Sequence, residues 1–184
     1  MGLLHRREQR REERAVFGRT GTAARYRMRQ KILSIGDDFW IEDADGERVY
    51  RIDGKVLRLR NTLDMEDPEG TRLCRIQTRV VHVRDTMDIE APDGTRMARV
   101  HKALIAPLRE RWKVDVDDGP DMAIHGNVLD HEYEIEVDDR KVAEVSKKWF
   151  RVRDTYGVEI DPDREPLLIL AVTIAVDSMV HPAK

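Results

Sequence analysis

The sequence predicts a mainly-β fold: a closed or nearly closed antiparallel barrel of about 12 strands around a buried hydrophobic C-terminal helix. Three observations predict it. Glycines recur every 24 residues, at Gly46, Gly70 and Gly94, and each sits inside a repeat of one phrase. Apolar residues recur at every second position through many short runs, which is the period of half-buried strands. Near the end, Pro166 to Val176 is almost unbroken apolar sequence. It is too short for a membrane span, which needs about 20 residues. A helix apolar on all faces must be surrounded on all faces, and the middle of a curled sheet is where that can happen.

The elements follow in order. Residues 1–31 carry ten Arg or Lys against three Glu, while the remainder carries 23 basic residues against 33 acidic. Residues 1–25 therefore read as a basic, flexible arm ahead of a single domain at 26–180, with Gly18 to Ala24 as the join. Such an arm suits anionic lipid or nucleic acid; the bland alternative is a solvated leader. A strand is expected at Gln30–Ile35. The repeat then reads as three strands per unit, in the first copy Phe39–Asp43, Glu47–Ile52 and Val56–Arg60. Asp45-Gly46 and Asp53-Gly54 are the expected turns, with positive φ at both positions. The third strand recurs at Val80–Thr86 and again at Trp149–Thr155. Arg111–Val116 adds another strand. Tyr133–Val137 and Lys141–Val145 form a further pair, joined by a looser turn at Asp138-Asp139. Inward positions are Leu57, Leu59, Leu63, Met65, Val81, Val83, Met87, Ile89, Tyr133, Ile135, Phe150 and Val152. The central helix is expected near 164–178, opened by Asp163 and Pro166.

Composition bounds the chemistry. At 184 residues the chain fits one domain with a substantial core, although 38% of its residues are charged and only 5% aromatic. Its single cysteine, Cys74, forms no internal disulfide and fits a reducing compartment. Its repeat mates Tyr50 and Ala98 mark it as a buried strand residue rather than a nucleophile. Met1 to Arg14 holds no signal-peptide core, which reads as cytoplasmic. Gly18-Arg19-Thr20-Gly21 lacks the Lys-Ser/Thr ending of a phosphate loop. His125 and His131 flank Asp130, but their spacing crosses a Gly-Asn turn with no third ligand nearby. The expected arrangement is a turn held by Asn127 and Asp130, with no metal. Asp64 with Glu66, and Asp88 with Glu90, alternate with inward residues and should face solvent, where no carboxylate is tuned for acid–base work. Ser34, Ser146 and Ser178 lack a nucleophile-elbow context. The remaining constellation is basic: Arg58, Arg60, Arg84, Arg151 and Arg153 occupy matching outward positions, with Lys147 and Lys148 beside them. A guanidinium stripe matches lipid phosphates. A ladder of ion pairs with neighbouring carboxylates is the competing use.

Four segments carry a resemblance: Tyr26 to Lys31, Gly36 to Phe39, Gly126 to Tyr133, and Val145-Ser146-Lys147-Lys148-Trp149-Phe150-Arg151-Val152-Arg153-Asp154-Thr155-Tyr156-Gly157-Val158. The chain resembles the LURP-one-related family over residues 26–180. The resemblance implies the Tubby C-terminal-like fold shared with Tubby and the phospholipid scramblases, in which a 12-stranded barrel encloses a hydrophobic helix. Tubby domains bind phosphoinositides and scramblases are membrane-linked. This sequence shows no counterpart of a Tubby lipid-binding motif or of a scramblase calcium segment.

The expectation is a non-enzymatic, cytoplasmic binding or adaptor module, peripheral at an anionic phospholipid membrane surface through Arg58, Arg60, Arg84, Arg151 and Arg153. No cofactor, metal, catalytic residue, nucleic-acid partner or transmembrane span is expected. Two other classes compete: a protein-interaction scaffold using the charged ladders, and an enzyme with an unrecognised pocket at a barrel end.

Overall fold

The structure is a computed structural model and describes residues 23–29, 39–57, 60–79, 86–102, 111–149 and 155–181. Twelve strands form a closed antiparallel barrel: β1 (Ala24–Arg29), β2 (Phe39–Asp43), β3 (Arg48–Leu57), β4 (Arg60–Glu66), β5 (Arg72–Thr78), β6 (Thr86–Glu90), β7 (Arg96–Lys102), β8 (Arg111–Val116), β9 (Met122–Asn127), β10 (Glu132–Val137), β11 (Arg140–Ser146) and β12 (Thr155–Ile160). Consecutive strands are neighbours throughout, and β1 closes the ring between β12 and β2. Closure removes the edge strands that would otherwise template aggregation. Among the described residues there is one helix, α1 (Pro166–Val180), which starts with proline at its first turn, where the missing N–H costs nothing.

The alternation rule holds. Leu63, Met65, Met87, Ile89, Tyr133 and Ile135 are all buried, as expected. Leu59, Val81, Val83, Phe150 and Val152 lie outside the described residues; Leu57 ends β3. The interior is completed by α1, whose residues Ile169 to Ser178 are buried on every face. Cys74 is buried in β5, and burial pushes its thiol up to about 12.

Two local expectations need correction. Asp53-Gly54 is not a turn: β3 runs straight through it, pairing Gly54 with Leu63, so each repeat is a two-stranded hairpin. The expected strand at Gln30–Ile35 lies outside the described residues, and the first strand described is Ala24–Arg29. At Gly46, Gly70 and Gly94 only the glycine takes a positive φ. In the first of these, the Gly46 N–H donates to the Asp43 carbonyl and the Asp43 N–H to the Glu47 carbonyl. This is a three-residue loop ending in a left-handed glycine and a bulge, not a two-residue turn. The two-residue turn with positive φ at both positions is Asp138-Asp139 (φ 50 and 60°), between the paired Val137 and Arg140.

Opposite charges cover the outer wall. Asp64 accepts from Arg75 Nε at 2.7 Å, and Asp88 from Arg99 Nε at 2.7 Å with Arg79 at 3.0 Å. Arg96 holds Asp117, Arg25 holds Glu159 and Arg27 holds Glu42. The carboxylates Asp64 and Asp88 were expected to face open solvent. They lie on the outer face but are buried there. Arg75 and Arg99 pair with them from the next strand, while Lys141 approaches the buried Glu134 at 4.0 Å and His125 the buried Glu136 at 3.3 Å, and the Asp64 hydrogen bond raises Arg75 above its ordinary value.

Candidate functional site

In an up-and-down barrel the strand connections fall alternately at two ends. The Gly46, Gly70 and Gly94 turns and the start of α1 share one end. The other end collects the finish of β3, β5, β7, β9 and β11, the start of β4, β6, β8, β10 and β12, and the last turn of α1. Arg60 begins β4 at this second end. Arg58, Arg84, Arg151 and Arg153 lie outside the described residues.

Two large apolar side chains stand out at this end. Leu129 is 55% exposed and Trp149 is 41% exposed. Leu129 lies in the β9–β10 turn and Trp149 in the turn leaving β11. Strand β10 pairs with both β9 and β11, so the two turns are adjacent connections. Glu132, the first residue of β10, organises the second turn. Its carboxylate accepts from Ser146 Oγ at 2.9 Å, from the Lys147 N–H at 3.1 Å and from Lys148 Nζ at 2.9 Å. Burial acts to raise the Glu132 carboxyl, but the Lys148, Ser146 and Lys147 donors outweigh it and hold it below the ordinary glutamate value. The chain is thereby bent so that Trp149 projects outward beside two lysines. The sequence pattern had placed Trp149 at the start of a strand; the tight bend set by Glu132 and Ser146 is a tertiary feature without a turn signature.

Within the same end lies a polar cluster. His131 is 1% exposed and Asp177 3% exposed, with His131 Nε2 2.6 Å from Asp177 Oδ1. His181, the residue following α1, stacks on His131 with ring centroids 5.3 Å apart and an interplanar angle of 7°. The Tyr156 ring also packs against His131, with ring centroids 4.3 Å apart. One ligand atom from each of His131, Asp177 and His181 lies within 4.8 Å of the other two. His131 Nδ1, Asp177 Oδ2, His181 Nε2, Ser178 Oγ and the Tyr133 and Tyr156 hydroxyls are buried without a hydrogen-bond partner in the protein. Burial, with Asp177 adding to it, pushes both tyrosine hydroxyls well above their ordinary value.

The histidine pair singled out in the sequence does not converge. His125 faces Glu136 at 3.3 Å on the outer wall, whereas His131 turns inward. The Asn127–Asp130 turn is held as expected on one side, where the Asp130 N–H donates to Asn127 Oδ1 at 3.2 Å. The Asp130 carboxylate takes the Asn127 side-chain amide at 2.6 Å rather than backbone. Asp177 and His181 carried no sequence signal toward His131, because 46 residues separate Asp177 from it.

Comparison with known proteins adds the following. A family model described as LURP-one-related matches residues 24–177. No curated protein matches the chain. Among solved structures, the X-ray structure of a protein from Arabidopsis thaliana is similar, with a TM-score of 0.62 at 15% identity, covering 85% of this chain and 90% of that one. At that identity the likeness speaks for the fold alone.

Proposed function

The chain belongs to the LURP-one-related family, and from that premise we propose that it is a non-enzymatic binding module that docks on anionic phospholipid surfaces. The docking surface is the barrel end bearing Leu129, Lys147, Lys148 and Trp149. The observation that carries this reading is the joint placement of an exposed tryptophan, an exposed leucine and two lysines on adjacent connections. Tryptophan has an apolar body and a polar N–H, which suits the headgroup layer. Each cation near an anionic leaflet contributes about 1 kcal/mol, screened within a Debye length. Arg58, Arg60, Arg84, Arg151 and Arg153 extend the same surface in this proposal, and Arg6, Arg7, Arg10, Arg11 and Arg14 of the arm supplement it.

The barrel wall is the weaker candidate. Its carboxylates already hold Arg75, Arg79, Arg99, Arg96 and Arg25. A scaffold using these ladders would first have to break them. No helix among the described residues is long and apolar enough to cross a membrane, so attachment in this proposal is peripheral.

Co-sedimentation with phosphatidylserine-containing and with purely phosphatidylcholine vesicles, at low and high salt, tests the reading. Binding confined to acidic vesicles at low salt supports it. Deleting residues 1–22, which spares β1, separates the arm from the domain: intact binding makes the arm dispensable. Binding that is indifferent to lipid charge refutes the proposal.

A further inference from the structure

We propose that His131, Asp177 and His181 form a site for one divalent transition-metal ion of the zinc class. The site ties the end of the central helix to the β9–β10 turn, and it goes beyond the docking function and does not depend on it. The sequence had suggested no metal here, since the residues converge only in the fold.

Asp177 carries the first part of the argument. An ionised carboxylate taken out of water costs several kcal/mol unless it is paired. Asp177 also lies in the last turn of α1, where the helix dipole is negative and where the chain supplies no basic residue. A carboxylate there is opposed twice, by burial and by the dipole. Its partner in the protein is the His131 imidazole, which engages one oxygen; the other has none. A metal ion supplies the missing positive charge.

The donor set carries the second part. Two imidazoles and one carboxylate are a familiar set for zinc and its neighbours, leaving a fourth position for water. Asp177 Oδ2 and His181 Nε2 are buried without a partner, and such atoms are rare in folded proteins. Tetrahedral coordination with bonds of about 2.0–2.1 Å sets ligand atoms about 3.3 Å apart. The His131–Asp177 contact would open from 2.6 Å and the widest separation would close from within 4.8 Å. His181 follows the helix and is only partly buried; its ring, parallel to that of His131, has to turn for both nitrogen lone pairs to meet one ion.

The backbone gives a third indication. His131 sits at φ +52°, a left-handed conformation that glycine or asparagine adopts more readily. The fold accepts an imidazole in that position and turns it inward toward Asp177.

The test uses the full chain, tag-free and dialysed against a chelator, titrated with zinc chloride by calorimetry. Cobalt chloride serves as a spectroscopic stand-in. The wild type should take up one equivalent, melt at higher temperature with zinc, and give the visible band of tetrahedral cobalt. His181→Ala, which removes a side chain making no hydrogen bond, should melt cooperatively yet lose affinity by about tenfold or more. Asp177→Asn should lose uptake altogether, and His125→Ala should bind as the wild type does. If Asp177→Asn fails to fold, His181→Ala alone decides. Absence of stoichiometric uptake by the wild type overturns the proposal. So does uptake that survives His181→Ala unchanged, or uptake lost in His125→Ala.

Discussion

Replacing Leu170 by alanine tests whether the central helix is the core of the barrel. Leu170 is fully buried within α1. The change deletes three carbons, worth about 0.8 kcal/mol each in transfer free energy, or about 2.4 kcal/mol together. A cavity term adds to this, because twelve strands joined in a closed hydrogen-bonded ring cannot collapse inward. Buried Leu→Ala changes span about 2–5 kcal/mol, and a rigid ring belongs in the upper half, so about 4 kcal/mol is expected. In urea, with a slope of about 2 kcal/mol per molar, the unfolding midpoint should fall by about 2 M with the slope unchanged. Leu129→Ala, at an exposed position, should move it by less than about 0.25 M. Far-UV circular dichroism during urea unfolding reads both variants. A Leu170→Ala loss below about 1 kcal/mol would refute the reasoning. So would a chain lacking residues 165–184 that still melts cooperatively.

Three further outcomes follow from single sites. Cys74, its thiol pushed up to about 12 by burial, should resist a thiol reagent at pH 8 in native protein and react fully in guanidinium; rapid native reaction would show that the barrel opens there. Gly126→Ala should destabilise by about 3 kcal/mol or more, because an added Cβ at φ +132° would meet the Glu132 carbonyl at 2.5 Å and Tyr133 Cα at 2.7 Å. Gly70→Ala, at φ +88° in open space, should cost only about 1–2 kcal/mol, and equal losses in the two variants would contradict the geometry. Glu132 is held below its ordinary value, so its contribution is full above the unfolded pKa and fades as pH falls through the lower folded one. Glu132→Gln should therefore lower stability at pH 7 and converge with the wild type once the pH has fallen through the lowered folded value, read from urea midpoints; a gap that persists below it would count against the Lys148–Glu132–Ser146 bridge.

The repeat and the alternation were legible because strand period and burial are local consequences of sequence. Ile41, Met65 and Ile89 occupy equivalent inward positions in three copies of one hairpin, and all are fully buried. The all-apolar run became a central helix because a closed β-barrel leaves one apolar space to fill. Strand joints were less legible. Asp53-Gly54 carries the turn dipeptide, yet pairing with Leu63 across β4 keeps it extended, so tertiary pairing overrides local preference. Asp138-Asp139 lacks glycine and still makes the tight turn, since aspartate tolerates the left-handed region. A charge ladder was anticipated; among the described residues it uses Arg75 and Arg99, from the second strands of two repeats. The candidate site was the least legible part. Trp149 is exposed because Glu132 bends the chain ahead of it, and His131 meets Asp177 only because α1 runs through the barrel and ends at the β9–β10 turn.

Membrane docking through the Trp149 end is tested most directly by quenching of tryptophan emission with bromine-labelled lipids in phosphatidylserine vesicles. Trp112 is buried and Trp40 lies beneath Arg48, so the difference between wild type and Trp149→Phe reports the exposed ring. The account predicts quenching in acidic vesicles at low salt, its loss in Trp149→Phe, and marked weakening in Lys147→Ala/Lys148→Ala. Emission that is unaffected by acidic vesicles at low salt, or quenched equally in Trp149→Phe, would contradict it.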